Sequence, residues 1–276
     1  MLKVTSKGVN SGRGPSPAIW ADLPPDIVWD SGVGVHVFED FKNFGLTTAV
    51  GTNVGRYAGD AGVYKSYEDT GCSITQETKD GGVIKLLHDG TDNDEVWLQS
   101  CGGTGTLGRI ADTLASRKKL WFETRVSFGQ ILAQNFFVGL TEEGLAAADT
   151  QADSGGAFAS KDALGFQVNE STPGVLDIVY RCAGQALQTV GSGVKTLTAD
   201  LTSFVKLGYV SDPDRPTTER IRFFIDGVEY TTRLTQAQIA AATFPTAQGL
   251  AWLIGGKNNN AANAFCCDWF RFAQVF

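Results

Sequence analysis

The residues that could do chemistry are few and widely spaced. Gly103, Gly105 and Gly108 form a G-x-G-x-x-G string after the apolar Val96-Trp97-Leu98, with Glu123 twenty residues beyond the first glycine. That spacing matches a dinucleotide fingerprint, whose glycines let the backbone approach a pyrophosphate at a helix N-terminus. The fingerprint needs a βαβ unit, yet an alternating strand pattern resumes at Leu120 and no further β-α-β succession follows, so the string reads as a loop. His88-Asp89-Gly90-Thr91-Asp92-Asn93-Asp94-Glu95 offers oxygen ligands of the kind calcium takes, but without the EF-hand glycine and glutamate a solvated turn is the simpler reading. The two histidines, His36 and His88, sit in no nucleophile motif. Glycoside hydrolysis would need facing carboxylates, expected to alternate along one strand. The nearest candidates, Asp92, Asp94 and Glu95, fall in the turn.

The five cysteines, Cys72, Cys101, Cys182, Cys266 and Cys267, are odd in number and lack a C-x-x-C pair. Neighbouring strand residues face opposite ways, so Cys266 and Cys267 cannot share one core pocket. Neither a disulfide framework nor a zinc site is expected, and assembly in a reducing cytosol is. These residues predict no catalytic group, no cofactor and no metal.

The elements that position these residues have a period of two. Phe122, Thr124, Val126 and Phe128 alternate with Glu123, Arg125 and Ser127, as a half-buried strand requires. Phe136/Val138/Leu140, Leu164/Phe166/Val168, Leu176/Ile178/Tyr180, Val205/Leu207/Tyr209 and Ile221/Phe223/Ile225 repeat the pattern. Asp226-Gly227 then signals a tight hairpin returning through Val228. Helical signals are short, at 142–149 and, behind a plausible N-cap Thr235, at 235–243. With 33 glycines among 276 residues, 42% of them hydrophobic, the chain reads as an all-β antiparallel β-sandwich or jelly roll. The formal charge of −7 disfavours a nucleic-acid partner. No stretch approaches the ~18 apolar residues of a membrane span, so no membrane partner is expected. The opening residues carry no signal-peptide pattern, so synthesis without Sec export is expected.

The first 21 residues differ from the rest. Lys3, Lys7 and Arg13 are their charged residues, no acidic residue precedes Asp22, and Trp20, Leu23-Pro24-Pro25 and Trp29 follow. Residues 1–29 read as a short N-terminal extended arm before a single sandwich domain at 30–276. The arm either stays disordered or folds on docking to an acidic neighbour. In the second case Lys3, Lys7, Arg13, Trp20 and Trp29 are the partner-binding residues, and the sandwich folds without them.

Taken together, Leu120-Trp121-Phe122-Glu123-Thr124-Arg125-Val126, Asn135-Phe136-Phe137-Val138-Gly139-Leu140-Thr141, Ala163-Leu164-Gly165-Phe166, Phe224-Ile225-Asp226-Gly227-Val228 and Asp268-Trp269-Phe270-Arg271-Phe272-Ala273-Gln274 resemble the concanavalin A-like lectin/glucanase sandwich. The likeness spans roughly residues 38–276, starting with Phe38-Glu39-Asp40-Phe41, and is nearest the versions found in structural proteins of tailed bacteriophages. It implies a jelly roll of two curved antiparallel sheets. The glucanases' Glu-x-Asp-x-x-Glu strand is missing, as is a counterpart of the legume-lectin metal loop. A bacteriophage virion structural protein is therefore expected, most of all a capsid decoration or cement protein. It would be made in the host cytoplasm and attached to the major capsid protein or other virion subunits, with a homo-oligomer as a further option. The alternative is a non-catalytic carbohydrate-binding module of a phage head or tail that meets surface glycans with aromatics such as Trp97 or Trp121.

Overall fold

The computed structural model describes residues 12–48, 53–77, 82–111, 116–132, 134–152, 159–246, 249–259 and 261–276. Its strands are β1 (Gly34–Glu39), β2 (Gly45–Thr48), β3 (Val54–Gly59), β4 (Gly62–Glu68), β5 (Ser73–Glu77), β6 (Val83–His88), β7 (Glu95–Gln99), β8 (Leu120–Phe128), β9 (Gln134–Thr141), β10 (Ala163–Asn169), β11 (Thr172–Arg181), β12 (Gln188–Thr196), β13 (Asp200–Ser211), β14 (Ile221–Ile225), β15 (Val228–Leu234), β16 (Ala251–Asn258) and β17 (Asn263–Val275). Two one-turn α-helices, α1 (Pro17–Trp20) and α2 (Gln236–Ile239), and two 3-10 turns, Pro25–Val28 and Cys101–Gly103, accompany the strands.

The strands form two antiparallel sheets. An eight-stranded sheet runs β15-β14-β13-β8-β17-β6-β5, with β1 beside the far half of β17, and a nine-stranded sheet runs β12-β11-β10-β9-β16-β7-β4-β3-β2. The period-two residues expected to face inward do so. Phe122, Val126, Phe136, Val138, Phe166, Ile178, Leu207, Tyr209 and Phe223 belong to one buried cluster between the sheets. The hairpin turn also forms as read: Asp226 and Gly227 have φ of 53° and 77°, the left-handed pair that a two-residue turn requires.

Strand β17 breaks its own alternation. Cys267 pairs with Val126 and Trp269 with Arg125, so Asp268 is an extra residue, a β-bulge. Phe265 and Cys267 face the core before it and Phe270 and Phe272 after it. The bulge thereby turns Asp268 outward beside Trp269.

Two helical expectations need correction. Residues 142–149 are not helical: Gly144 (φ 84°) and Asp149 (φ 55°) are left-handed, and the Gly144 amide donates to Gly103 O instead of a helical carbonyl. At 235–243 the helix is one turn, started by a capping box in which Thr235 and Gln238 satisfy each other's amides. The expected arm at 1–29 does not stand apart from the sandwich in its described part. Ile19, Trp20 and Ile27 are buried with Trp121, Val210, Phe224 and Ala273 on the outer face of the eight-stranded sheet. The described part of the arm is thus a third layer of the domain. No helix among the described residues is long and apolar enough to cross a membrane.

Candidate functional site

On the outer face of the eight-stranded sheet one row crosses four strands. Phe38 on β1 lies opposite Arg271 on β17, Arg271 opposite Glu123 on β8, and Glu123 opposite Gly208 on β13. A carboxylate at the centre of a sheet needs donors, and the arm supplies them. The Ser16 amide and Trp20 Nε1 donate to Glu123 Oε2 at 2.9 and 2.7 Å. Burial nevertheless raises the Glu123 carboxyl above its usual range, because the surrounding hydrogen bonds offset only part of the lost hydration. Gly208 gives Ile19 room to descend: a Cβ there would come within 2.7 Å of Ile19 Cδ1.

Arg271 lies beneath the arm. Its guanidinium sits 4.1 Å from the Trp20 ring centroid, and its Nε donates to His36 Nε2 at 3.0 Å. Burial and the adjacent Arg271 charge lower the His36 pKa to about 4, so the imidazole is neutral at physiological pH. Because its Nε2 accepts, its proton resides on Nδ1. Pro15, His36, Phe38 and Arg271 line an open recess of about 240 Å³. Phe38, 41% exposed, is its aromatic wall.

The expected partner-binding residues separate into three groups. Arg13 and Trp20, expected at an intermolecular contact, are engaged within the chain. Arg13 makes a two-pronged pair with Asp268, at 2.6 and 3.0 Å, and Arg125 holds the same carboxylate. Trp20 is 8% exposed. Trp29, at 87% exposed, is free to meet a partner. Lys3 and Lys7 lie outside the described residues. Glu123, Arg271 and His36 did not emerge from sequence as a group, although an acid centred in an apolar strand is a signal that a donor must cover it.

The outer face of the nine-stranded sheet is roofed as well. Trp97, Phe137 and Leu253 pack beneath Leu145 and Ala146. Trp97 lies flat over Gly255, where a Cβ would come 2.2 Å from its ring, and its Nε1 donates to Glu95. Lys257 pairs with Glu95 at 3.2 Å. Trp97 and Trp121 are 0% and 1% exposed, so neither is the surface platform weighed for sugar stacking.

The other motifs also find places. Residues 103–108 form a loop held by the Leu107 amide on Leu250 O, as read. In the acidic turn, Asp89 accepts from the Thr91 amide and Asp69 from the Glu95 amide. Asp94 is raised to about 7, by burial first and by the Asp89 carboxylate beside it second. The described acidic side chains that converge within 4.8 Å are Glu39, Asp40 and Asp60. Both Glu39 oxygens already accept, from the Phe41 and Ala61 amides and the Tyr64 hydroxyl. Lys42 pairs with Asp40. That cluster is a structural knot.

No protein-family profile matches the chain, and no curated protein matches it in sequence. Among solved structures it is similar to a protein of unknown function from Shewanella oneidensis MR-1, with a TM-score of 0.51 and 15% identity over 88% of this chain and 87% of that one. It is also similar to the metal-free carbohydrate recognition domain of Emp46p (TM-score 0.48, 8% identity, 73% of this chain and 86% of that one). A third is the CBM2 module of the evolved Dit of Lactobacillus casei BL23 phage J-1 (TM-score 0.41, 10% identity, 74% and 80%). At such identities the likeness concerns the fold alone: an antiparallel β-sandwich.

Proposed function

We propose that the chain is a non-catalytic structural subunit of a bacteriophage virion, a decoration or cement protein seated on the major capsid protein. The observation that carries this reading is that the chain's own segments roof the outer face of each sheet, over Trp121 on one side and Trp97 on the other. Such a molecule offers a compact block for attachment rather than an open cleft. The carboxylates of those faces are committed internally, Glu123 to the arm, Asp268 to two arginines and Glu95 to Lys257. A glycosidase needs two carboxyl groups free to face one substrate. The strand set that resembles tailed-phage structural proteins supports the virion setting. With Arg13 and Trp20 occupied, attachment through the N-terminal region falls to Trp29, an exposed anchor of the kind that dominates interfaces.

The test is mass spectrometry of purified virions with copy number, joined to co-sedimentation of the protein with capsids. Many copies per particle, and capsid binding weakened ~30-fold or more by Trp29→Ala, are expected, since such an anchor contributes about 2 kcal/mol. Absence from virions overturns the reading. A second reading, a non-catalytic carbohydrate-binding module, is favoured by the recess at Phe38, His36 and Arg271. A glycan-array signal without capsid binding would select it.

A further inference from the structure

The recess is built for a particular chemistry. The chain's net charge is negative, yet this depression is lined by an arginine and by no carboxylate, its lining residues being Pro15, His36, Phe38 and Arg271. Arg271 is held on two sides. The guanidinium lies over the Trp20 ring, and Nε is spent on His36. Among the described residues its terminal N–H groups make no hydrogen bond or ion pair, and they remain as a fork, the geometry that meets a carboxylate with two parallel hydrogen bonds. Glu123, the cross-strand neighbour, does not consume that fork: its Oε2 accepts from Ser16 and Trp20, its Oε1 makes no hydrogen bond, and its charge acts on Arg271 without a hydrogen bond between them.

The second donor is the neutral His36, whose Nδ1–H is left over once Nε2 accepts from Arg271. The third feature is an apolar wall, Phe38 with Pro15 beside it. A fork for a carboxylate, a single N–H for a hydroxyl and a ring face for C–H groups match one class of ligand, a sugar that carries its own carboxylate. We propose that this recess binds the carboxylate-bearing residue of an acidic glycan, of the sialic or uronic acid class, with Arg271 on the carboxylate and Phe38 against the pyranose ring. The arm completes the site: Pro15 is part of its wall, and Trp20 holds Arg271 in place. This inference rests on the carbohydrate-binding reading and is independent of a place on the capsid.

Saturation-transfer NMR and calorimetry with sialyllactose against lactose, and with a glucuronate-bearing oligosaccharide against its carboxyl-reduced counterpart, test it. Wild-type protein is expected to bind each acidic member at least ~10-fold more tightly than its neutral partner, the factor that one charge-assisted forked contact confers. Arg271→Lys keeps the charge and loses the fork, and should weaken acidic-sugar binding ~10-fold or more. Phe38→Ala, at a residue exposed enough to leave the fold and its melting temperature unchanged, should weaken it ~5-fold or more through the lost ring contact.

Equal affinity for acidic and neutral sugars, with Arg271→Lys and Phe38→Ala silent, would leave the carbohydrate reading standing and overturn this site. Binding to none of the four sugars would overturn both. An acidic peptide that competes as strongly as sialyllactose would show a general carboxylate site and overturn the assignment to a sugar.

Discussion

At the scale of single residues, the molecule's polar interior is a set of buried charges whose partners come from distant chain. Glu123 depends on Trp20 Nε1, 103 positions away. Trp20→Phe retains most of the apolar body but removes that donor, leaving a buried carboxylate short of a bond; urea unfolding is expected to show a loss of about 1.5–3 kcal/mol. The histidines set a pH dependence of known sign. His88, fully buried with Nε2 on Gly256 O, has its pKa lowered to about 4 by burial, against the opposing pull of that hydrogen bond and of Asp89 and Asp69. Below pH 6.5 the unfolded imidazole takes a proton that the folded one refuses until about pH 4. Stability therefore falls as pH drops through that window, by up to about 3 kcal/mol for His88. His36 acts in the same direction. Asp94 has its pKa raised to about 7 and acts oppositely, adding stability as pH falls from 7 toward 4. Chemical denaturation between pH 4 and 7 should show a shallower acid-side decline in His88→Gln and a steeper one in Asp94→Asn. The same slope in both variants and wild type would refute the assignment.

At the scale of elements, the arm and the bulge act together. The bulge at Asp268 places a carboxylate and Trp269 on the same outer face, where Arg13 grips the carboxylate and its carbonyl accepts from Trp269 Nε1 at 2.7 Å. From there the chain lays Ile19, Trp20 and Ile27 onto Trp121, Val210 and Phe224. Each such buried side chain contributes about 1.5–3 kcal/mol. Deleting residues 1–29 is thus expected to lower the melting temperature by about 10 °C or more in a thermal scan. An unchanged melting temperature would return the arm to the role of a detachable tail that its composition suggested.

At the scale of the whole molecule, the sandwich stands without covalent staples. None of the five cysteines is in a disulfide, and Cys266 and Cys267 are both buried on opposite faces of one strand. Burial raises the Cys72 thiol to about 12 and holds Cys267 still higher, so neither presents a thiolate near neutral pH. Adding a reductant should leave the melting temperature unchanged. A fall of about 10 °C would reveal a bridge, since losing one typically costs about 2–5 kcal/mol.

How far the sequence reaches depends on the distance over which each interaction acts. Alternation is local, so the inward faces of β8, β9, β10, β11, β13 and β14, and the turn at Asp226-Gly227, could be read from consecutive residues, and with them the sandwich. The same alternation put Trp97 and Trp121 on strands but could not tell that each faces away from the sandwich interior and is buried by a roof. That burial is contributed by Leu145 and Ala146 in one case and by the arm in the other. The basic, aromatic composition of the arm was legible, and its destination was not. Arg13 and Trp20 find their partners on β17 and β8, Asp268 and Glu123, and only the closed tertiary fold brings those strands beneath it. The recess has the same origin. Its lining joins positions 15, 36, 38 and 271, and no local pattern in a chain can report that residues so far apart share one surface.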